Sequence, residues 1–132
     1  MRRLAIVAAV VIVAALATPA SAAACSCAPV EPKDAMRSAD AAIVGRLIEV
    51  VPRGDLAADF RYRVQRVYKS DRGLTKGRIV AVRSNVQGAA CGLPSGDNRR
   101  YGLFLDRREG RWTGNLCAVF EPKAGLSKYC DS

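Results

Sequence analysis

The number and spacing of the cysteines constrain this chain more than any other feature. Five cysteines occur in 132 residues, at positions 25, 27, 91, 117 and 130. Two of them stand one residue apart near the N-terminus, and the other three lie far along the chain. Cysteines of a small exported domain usually form disulfides, and an odd number leaves at least one thiol unpaired or joined to another chain. The pattern predicts a fold in which distant segments are tied covalently to the start of the chain.

Residues 1–24 have the features of a secretory signal peptide. Arg2 and Arg3 give a positive start, and residues 4–17 contain no polar side chain but are too few to span a bilayer comfortably. Ala22 and Ala24 supply the small residues that signal peptidase requires. The sequence therefore predicts a secreted, soluble domain over residues 25–132, with no transmembrane span and with Cys25 as its first residue.

Two other ways of processing the N-terminus stay open. A lipoprotein signal would attach lipid to Cys25, anchor the protein to the membrane at the cell surface, and block both the sulfur and the amine. Alanine at position 22, where lipoprotein signals favour leucine, argues against this alternative. Cleavage after Ala22 would instead leave two alanines in front of Cys25.

Composition excludes several kinds of chemistry. The chain contains no histidine, which removes serine–histidine and cysteine–histidine catalysis and histidine-ligated zinc. No nucleophile motif or carboxylate pair is evident, so an enzyme is the least favoured class and no cofactor is expected. Export and the scarcity of aromatic residues disfavour a role in binding nucleic acid.

The charge balance is basic. Of the 21 lysines and arginines, only Arg2 and Arg3 lie in the signal. The mature chain therefore has 19 basic and 12 acidic residues, which gives a net charge of +7. Charges of both signs are interspersed, which is typical of a soluble surface. A weak attraction to acidic polymers is the more specific alternative.

Hydrophobic patterning predicts an all-β domain of five strands, flanked by a short helix at each end. The first helix covers residues 31–39, and a last short one begins at Glu121 and runs towards Cys130. A break in the alternation near Gln65 and Arg66 indicates a β-bulge, a device of the long, coiled strands of small barrels. Five short strands favour a small closed barrel over a sandwich. Trp112 is expected in its core. The predicted strands are residues 41–51, 60–67, 78–84, 101–106 and 111–116.

Several segments together resemble the tissue inhibitors of metalloproteinases and their netrin-like relatives. The similarity covers residues 25–132 and corresponds to the N-terminal domain of those inhibitors. It implies a five-stranded OB-fold-like Greek-key barrel with disulfides Cys25–Cys91 and Cys27–Cys117. The segments that carry it are Cys25-Ser-Cys-Ala-Pro29, Ala35-Met-Arg-Ser-Ala-Asp40, Ile43-Val-Gly-Arg46, Tyr68-Lys69, Ala90-Cys-Gly92, Tyr101-Gly-Leu-Phe-Leu105 and Asn115-Leu-Cys117.

The resemblance also implies a function. In that family the mature N-terminal cysteine chelates the catalytic zinc of a metalloprotease through its α-amine and carbonyl oxygen, so the metal belongs to the partner. Cys25 would be the chelator and Ser26 would enter the specificity pocket. The rest of the inhibitory ridge would be Cys27, Ala28, Pro29, Ala89 and Ala90.

The chain departs from the family pattern at three points. Arg37 stands where the family has a cysteine, which leaves Cys130 without its partner, so that a Cys130-linked dimer is an alternative to a monomer. The second domain of the animal inhibitors is absent, which with the alanine- and arginine-rich composition suggests a single-domain bacterial member. The connection between the first two strands is short. The alternative function is a non-inhibitory extracellular module that binds an acidic polysaccharide, envelope polymer or matrix partner.

Overall fold

A computed structural model of the chain describes residues 25–87, 90–96 and 98–122. The predicted signal peptide at 1–24 and the predicted last helix beyond Pro122 lie outside these residues, as does Cys130. In the described part, no helix has the length and apolar character needed to cross a membrane. The elements are α1 (Pro32–Ser38), β1 (Ala41–Pro52), β2 (Ala57–Ser70), β3 (Ile79–Asn85), β4 (Arg100–Arg108), β5 (Arg111–Thr113), a 3₁₀ helix (Leu116–Ala118) and β6 (Val119–Phe120).

The strands form a closed barrel. Along the sheet their order is β1-β2-β3-β5-β4, and β1 also pairs with β4, which closes the ring. The β3–β5 pairing is parallel, at Val82 opposite Trp112, and the other pairings are antiparallel. This topology confirms the predicted five-stranded OB-fold-like barrel. The sequence did not predict β6, a short strand that pairs with β4 at Gly102 and Leu103.

The bulge predicted near Gln65 is confirmed. Val44 lies opposite Arg66 and Gly45 lies opposite Val64, so Gln65 has no counterpart in β1. An extra residue of this kind bends its strand and increases the local twist, which lets a long β2 follow the wall of a small barrel. Gly45 permits the close approach there, because a Cβ at this position would lie 2.9 Å from the Cβ of Tyr62.

Alternate residues of the strands point inward and form the core. Trp112 is 6% exposed and belongs to this core, as predicted. β5 is shorter than the predicted strand at 111–116, because the chain turns away after Thr113. The N–H of Gly114 donates to the carbonyl of Arg83 at 3.3 Å, and the N–H of Leu116 donates to the carbonyl of Cys91 at 2.8 Å. The largest fully buried side chains are Tyr62, Phe60, Ile43, Leu47, Leu103, Leu105, Val44, Val64 and Val82.

Tyr62 is a polar exception within this core. Its hydroxyl is buried without a hydrogen-bond partner among the described residues, and burial raises the pKa of Tyr62. An unpaired buried hydroxyl costs about 1–3 kcal/mol, so we expect Tyr62→Phe to raise the free energy of unfolding by about 1 kcal/mol in urea titrations. Tyr101→Phe is the control. The Tyr101 hydroxyl donates to the carbonyl of Gly96 at 3.4 Å, so removing this hydroxyl should not stabilise the protein.

The same hydroxyl gives the Tyr62 prediction a pH dependence. Because the pKa of Tyr62 is higher in the folded state, folding is favoured while this hydroxyl is protonated. The resulting contribution to the free energy of unfolding is complete below the unfolded pKa of about 10 and is lost as the pH rises above it. Tyr62→Phe should therefore reduce alkaline destabilisation. A lower stability of the variant at neutral pH would show instead that the hydroxyl has a partner.

Candidate functional site

Two disulfides fasten the N-terminus to the barrel. Cys25 is bonded to Cys91 and Cys27 to Cys117, with Cα–Cα distances of 5.2 Å in both bridges. The bridges join positions separated by 66 and 90 residues. This confirms the pairing that the family resemblance implied. Cys25 is half-buried and Cys27 is exposed.

The loop that carries Cys91 is fixed by hydrogen bonds. The carbonyl of Gln87 accepts the N–H groups of Ala90 and Gly92, both at 3.1 Å, which produces a tight turn. Cys91 within it has a left-handed φ of 57°. The side-chain amide of Asn85, at the end of β3, donates to the carbonyl of Ala90 at 3.1 Å. The position of Cys91 is thus set by the strand beside it.

Gly92 is required by this turn, because a Cβ there would overlap the backbone carbonyl oxygen of Asn85. Backbone cannot move as a flexible side chain can, so we expect Gly92→Ala to lower the free energy of unfolding by about 1–3 kcal/mol. Gly114→Ala is the matched control. Its Cβ would lie 3.3 Å from a methyl group of Val82 and 3.4 Å from one of Leu105, both of which can adjust. Thermal unfolding compares the stability of the two variants directly. Equal losses of stability in Gly92→Ala and Gly114→Ala would contradict the prediction.

The second anchoring cysteine lies beside the first. Cys117 is carried by the 3₁₀ helix Leu116–Ala118, and the N–H of Leu116 donates to the carbonyl of Cys91 at 2.8 Å. The two anchoring segments, residues 90–93 and 115–118, therefore form one surface, here called the anchor platform. The two bridges also touch, since the Sγ atoms of Cys25 and Cys117 are 3.9 Å apart.

The N-terminal segment, residues 25–30, lies on this platform without secondary structure. Ser26, Ala28 and Pro29 are exposed, as is Val30 with 62% of its surface. Within the described chain, no backbone hydrogen bond joins this segment to another residue. The two bridges therefore fix its position on the platform, and Ser26, Ala28, Pro29 and Val30 remain exposed.

The structure brings most of the predicted ridge residues together. The segment supplies Cys25 to Pro29, and the platform supplies Ala90, which is exposed and adjacent to Cys91. Ala89 lies outside the described residues. The segment has no ionisable side chain apart from its disulfide-bonded cysteines, so its chemistry rests on the backbone.

The sulfur atoms themselves are not suited to binding a metal. Those of Cys25, Cys91 and Cys117 all lie within 4.8 Å of one another, a spacing that could suit a thiolate site. Each belongs to a disulfide, however, and the thiolate is the form of cysteine that binds metals. The donors that the segment can offer include the carbonyl oxygen of Cys25 and, if the mature chain begins there, its α-amine.

A group of charged residues on the barrel wall was missed by the sequence reasoning. Asp59 accepts from the Nε–H of Arg53 at 2.7 Å and also from the Nε–H of Arg83. The hydrogen bond from Arg83, with that from Arg53, holds the pKa of Asp59 below its usual range against the effect of burial. Since the folded pKa is lowered, this pairing stabilises the fold above the unfolded pKa and is lost as the pH falls.

A scan against models of known protein families gives no match to this chain. A search of curated proteins gives no match either.

Proposed function

We propose that this protein is a secreted inhibitor of zinc metalloendopeptidases, with Cys25 as the mature N-terminus and as the group that chelates the zinc of the target. The observation that supports this most is the exposed N-terminal segment, which two adjacent disulfides hold on the anchor platform. The bridges also fit an oxidising compartment, which agrees with export.

The chemistry requires a free α-amine. Its pKa is about 8, so a useful fraction is unprotonated near pH 7 and can donate its lone pair. The amine nitrogen and carbonyl oxygen of one residue close a five-membered ring on a metal ion. A catalytic zinc keeps a coordination position for water, and this pair of donors would take it.

Rigidity and side-chain size support the same proposal. Binding usually carries an entropic cost for ordering loops. The two bridges already order this segment in the free protein, so less of that cost remains when it binds its target. Ser26 is small, exposed and next to Cys25, so it would enter the pocket that receives the substrate side chain. Ala28, Pro29 and Ala90 would extend the contact with small, uncharged surfaces.

The proposal is tested on the exported protein. Intact mass and N-terminal sequencing should show Cys25 as the first residue, unmodified and disulfide-bonded. The purified protein is then titrated against a panel of zinc endopeptidases, with a serine protease as the control. We expect inhibition of at least one zinc enzyme and none of the serine protease. A free, bridged Cys25 combined with no inhibition of any zinc enzyme would contradict the proposal.

A further inference from the structure

A strip of arginines crosses the outer wall of the barrel, and one of its cavities reaches the anchor platform at Asn115. Strand alternation and register place Asp59, Arg83 and Thr113 side by side on the outer faces of β2, β3 and β5. In the neighbouring row, Arg111 lies directly opposite Arg108 across the β4–β5 hairpin. The arginine strip comprises Arg53, Arg83, Arg108 and Arg111.

Two surface cavities run along the strip and share Arg83. One is lined by Arg53, Asp59, Ala81, Arg83 and Arg111, and the small Ala81 leaves space between the guanidinium groups. The other continues past Arg83 to Arg108, Asp106, Thr113 and Asn115. Four arginines against two carboxylates, Asp59 and Asp106, leave an excess of two positive charges along these cavities.

The arginines are arranged so that donors remain for a ligand. Arg53 and Arg83 each use Nε–H on Asp59, which orients both guanidinium groups. Among the described residues, their Nη groups make no further hydrogen bond, and neither Arg108 nor Arg111 is in an ion pair. Like charges directly opposite each other on neighbouring strands destabilise a sheet, and an anion between them relieves the repulsion. The fork of donors on arginine matches carboxylate and sulfate oxygens.

The position of the strip within the fold also points to a ligand site. In OB-fold barrels, the face of strands two and three and the loops after strands one and four bind oligosaccharides and oligonucleotides. Here Arg53 follows β1, Asp59 and Arg83 lie on β2 and β3, and Gly110, which also lines the first cavity, lies in the loop after β4. The strip therefore occupies the face that this architecture uses for polymers.

We infer that the arginine strip binds an acidic polysaccharide, one with carboxylate or sulfate groups repeated along its length. Nucleic acid fits less well, because single strands bind by stacking on exposed aromatic rings. Two aromatic residues line these cavities, and neither offers an open ring face. Trp112 is only 6% exposed and has the guanidinium of Arg107 over its ring, 5.2 Å from the centroid. Phe104 is partly buried and packs against the ring of Phe120, with the centroids 4.7 Å apart. Disulfide formation also favours a compartment where polysaccharides are the common polyanions. This site does not depend on zinc chelation by Cys25.

The test compares two double variants that lose the same charge. Arg108→Gln with Arg111→Gln removes two strip residues that form no ion pair, so the fold should persist with unchanged or slightly higher thermal stability. Lys33→Gln with Lys76→Gln removes two exposed charges from α1 and from the β2–β3 connection. Binding to heparin fragments and to a polyuronate is measured by titration calorimetry, with neutral dextran as the negative probe and a single-stranded oligonucleotide as the other polyanion.

We expect the acidic polysaccharides to bind in a salt-sensitive way and dextran not to bind. Since each charged hydrogen bond contributes substantially, the strip variant should bind about tenfold or more weakly, and the lysine variant should change less than about twofold. Equal losses of affinity in the two variants would show that binding depends only on net charge, and would overturn the proposed site. Absence of polysaccharide binding, or tighter binding of the oligonucleotide, would overturn the inference as well.

Discussion

A single alanine added before Cys25 is expected to abolish inhibition of zinc endopeptidases and to leave the barrel unchanged. The extra peptide bond converts the α-amine into an amide, which has no lone pair to donate, so the five-membered chelate cannot form. Loss of a group that merely supports a metal ligand costs about 10–100-fold in affinity, so loss of a ligand should raise the inhibition constant by about a thousandfold or more. The inhibition constant is measured in steady-state assays with the zinc endopeptidase that the panel identifies as inhibited.

The control for this variant is an alanine added after Ser132, which changes mass equally and leaves the amine untouched. Ser26→Arg gives a second comparison, because it should alter which zinc enzymes are inhibited without removing the chelating amine. Inhibition should also weaken below pH 8, where protonation competes with the metal for the amine. Full inhibition by the protein carrying the N-terminal alanine would exclude chelation by Cys25.

Removal of the Cys27–Cys117 bridge should have the largest effect on stability. Because Cys25–Cys91 stays intact, the loop that Cys27–Cys117 closes in the unfolded chain passes through that bridge and contains about 30 residues, for which the chain-entropy model gives a loss of about 3–4 kcal/mol. We therefore expect Cys27→Ala with Cys117→Ala to fold into the same barrel by far-UV circular dichroism and to unfold at a much lower denaturant concentration. Cys25–Cys91 still tethers the start of the segment, but residues 26–30 make no backbone hydrogen bond to the described chain, so limited proteolysis should cleave them more readily.

Cys130→Ala is the appropriate comparison, because it removes a cysteine that takes no part in either bridge. It should leave the unfolding midpoint unchanged. Non-reducing electrophoresis of the parent protein beside this variant shows whether Cys130 links two copies. If the bridge variant were as stable as the parent protein, the N-terminal segment would have to be held by contacts other than its disulfides.

Local signals in the sequence were sufficient for most of the barrel. The β-branched run at 41–51 predicts β1 almost to its ends, and the break in alternation at Gln65 locates the bulge. The length of β5 could not be predicted, because Leu116 follows a strand-like pattern while its N–H is directed to Cys91, a residue distant in sequence. The short β6 likewise depends on Gly102, whose missing side chain makes room for the ring of Phe120.

The two surface features of interest differ in how far the sequence could reveal them. The cysteine spacing identifies the N-terminal segment as a tied end, and the pairing itself came from resemblance to a known family. Arg53, Arg83 and Arg111 are separated by long stretches of chain; Arg53 stands in a turn, and Arg83 and Arg111 stand in ordinary strand patterns. Only the pairing of β3 with β2 and with β5 places them along one cavity, so no local pattern could have predicted their convergence.

Closure of the barrel through β1 and β4 has a consequence for folding kinetics. Ala41 pairs with Leu105, so the first strand cannot complete its pairing until most of the chain is available. Such non-local pairing is typical of domains that fold in milliseconds to seconds. During synthesis the N-terminal part of the chain emerges first, so one edge of β1 stays unpaired until β4 is available. During that interval the exposed edge is open to pairing with other molecules. Yield on refolding should therefore depend on protein concentration more than on the rate at which the bridges oxidise.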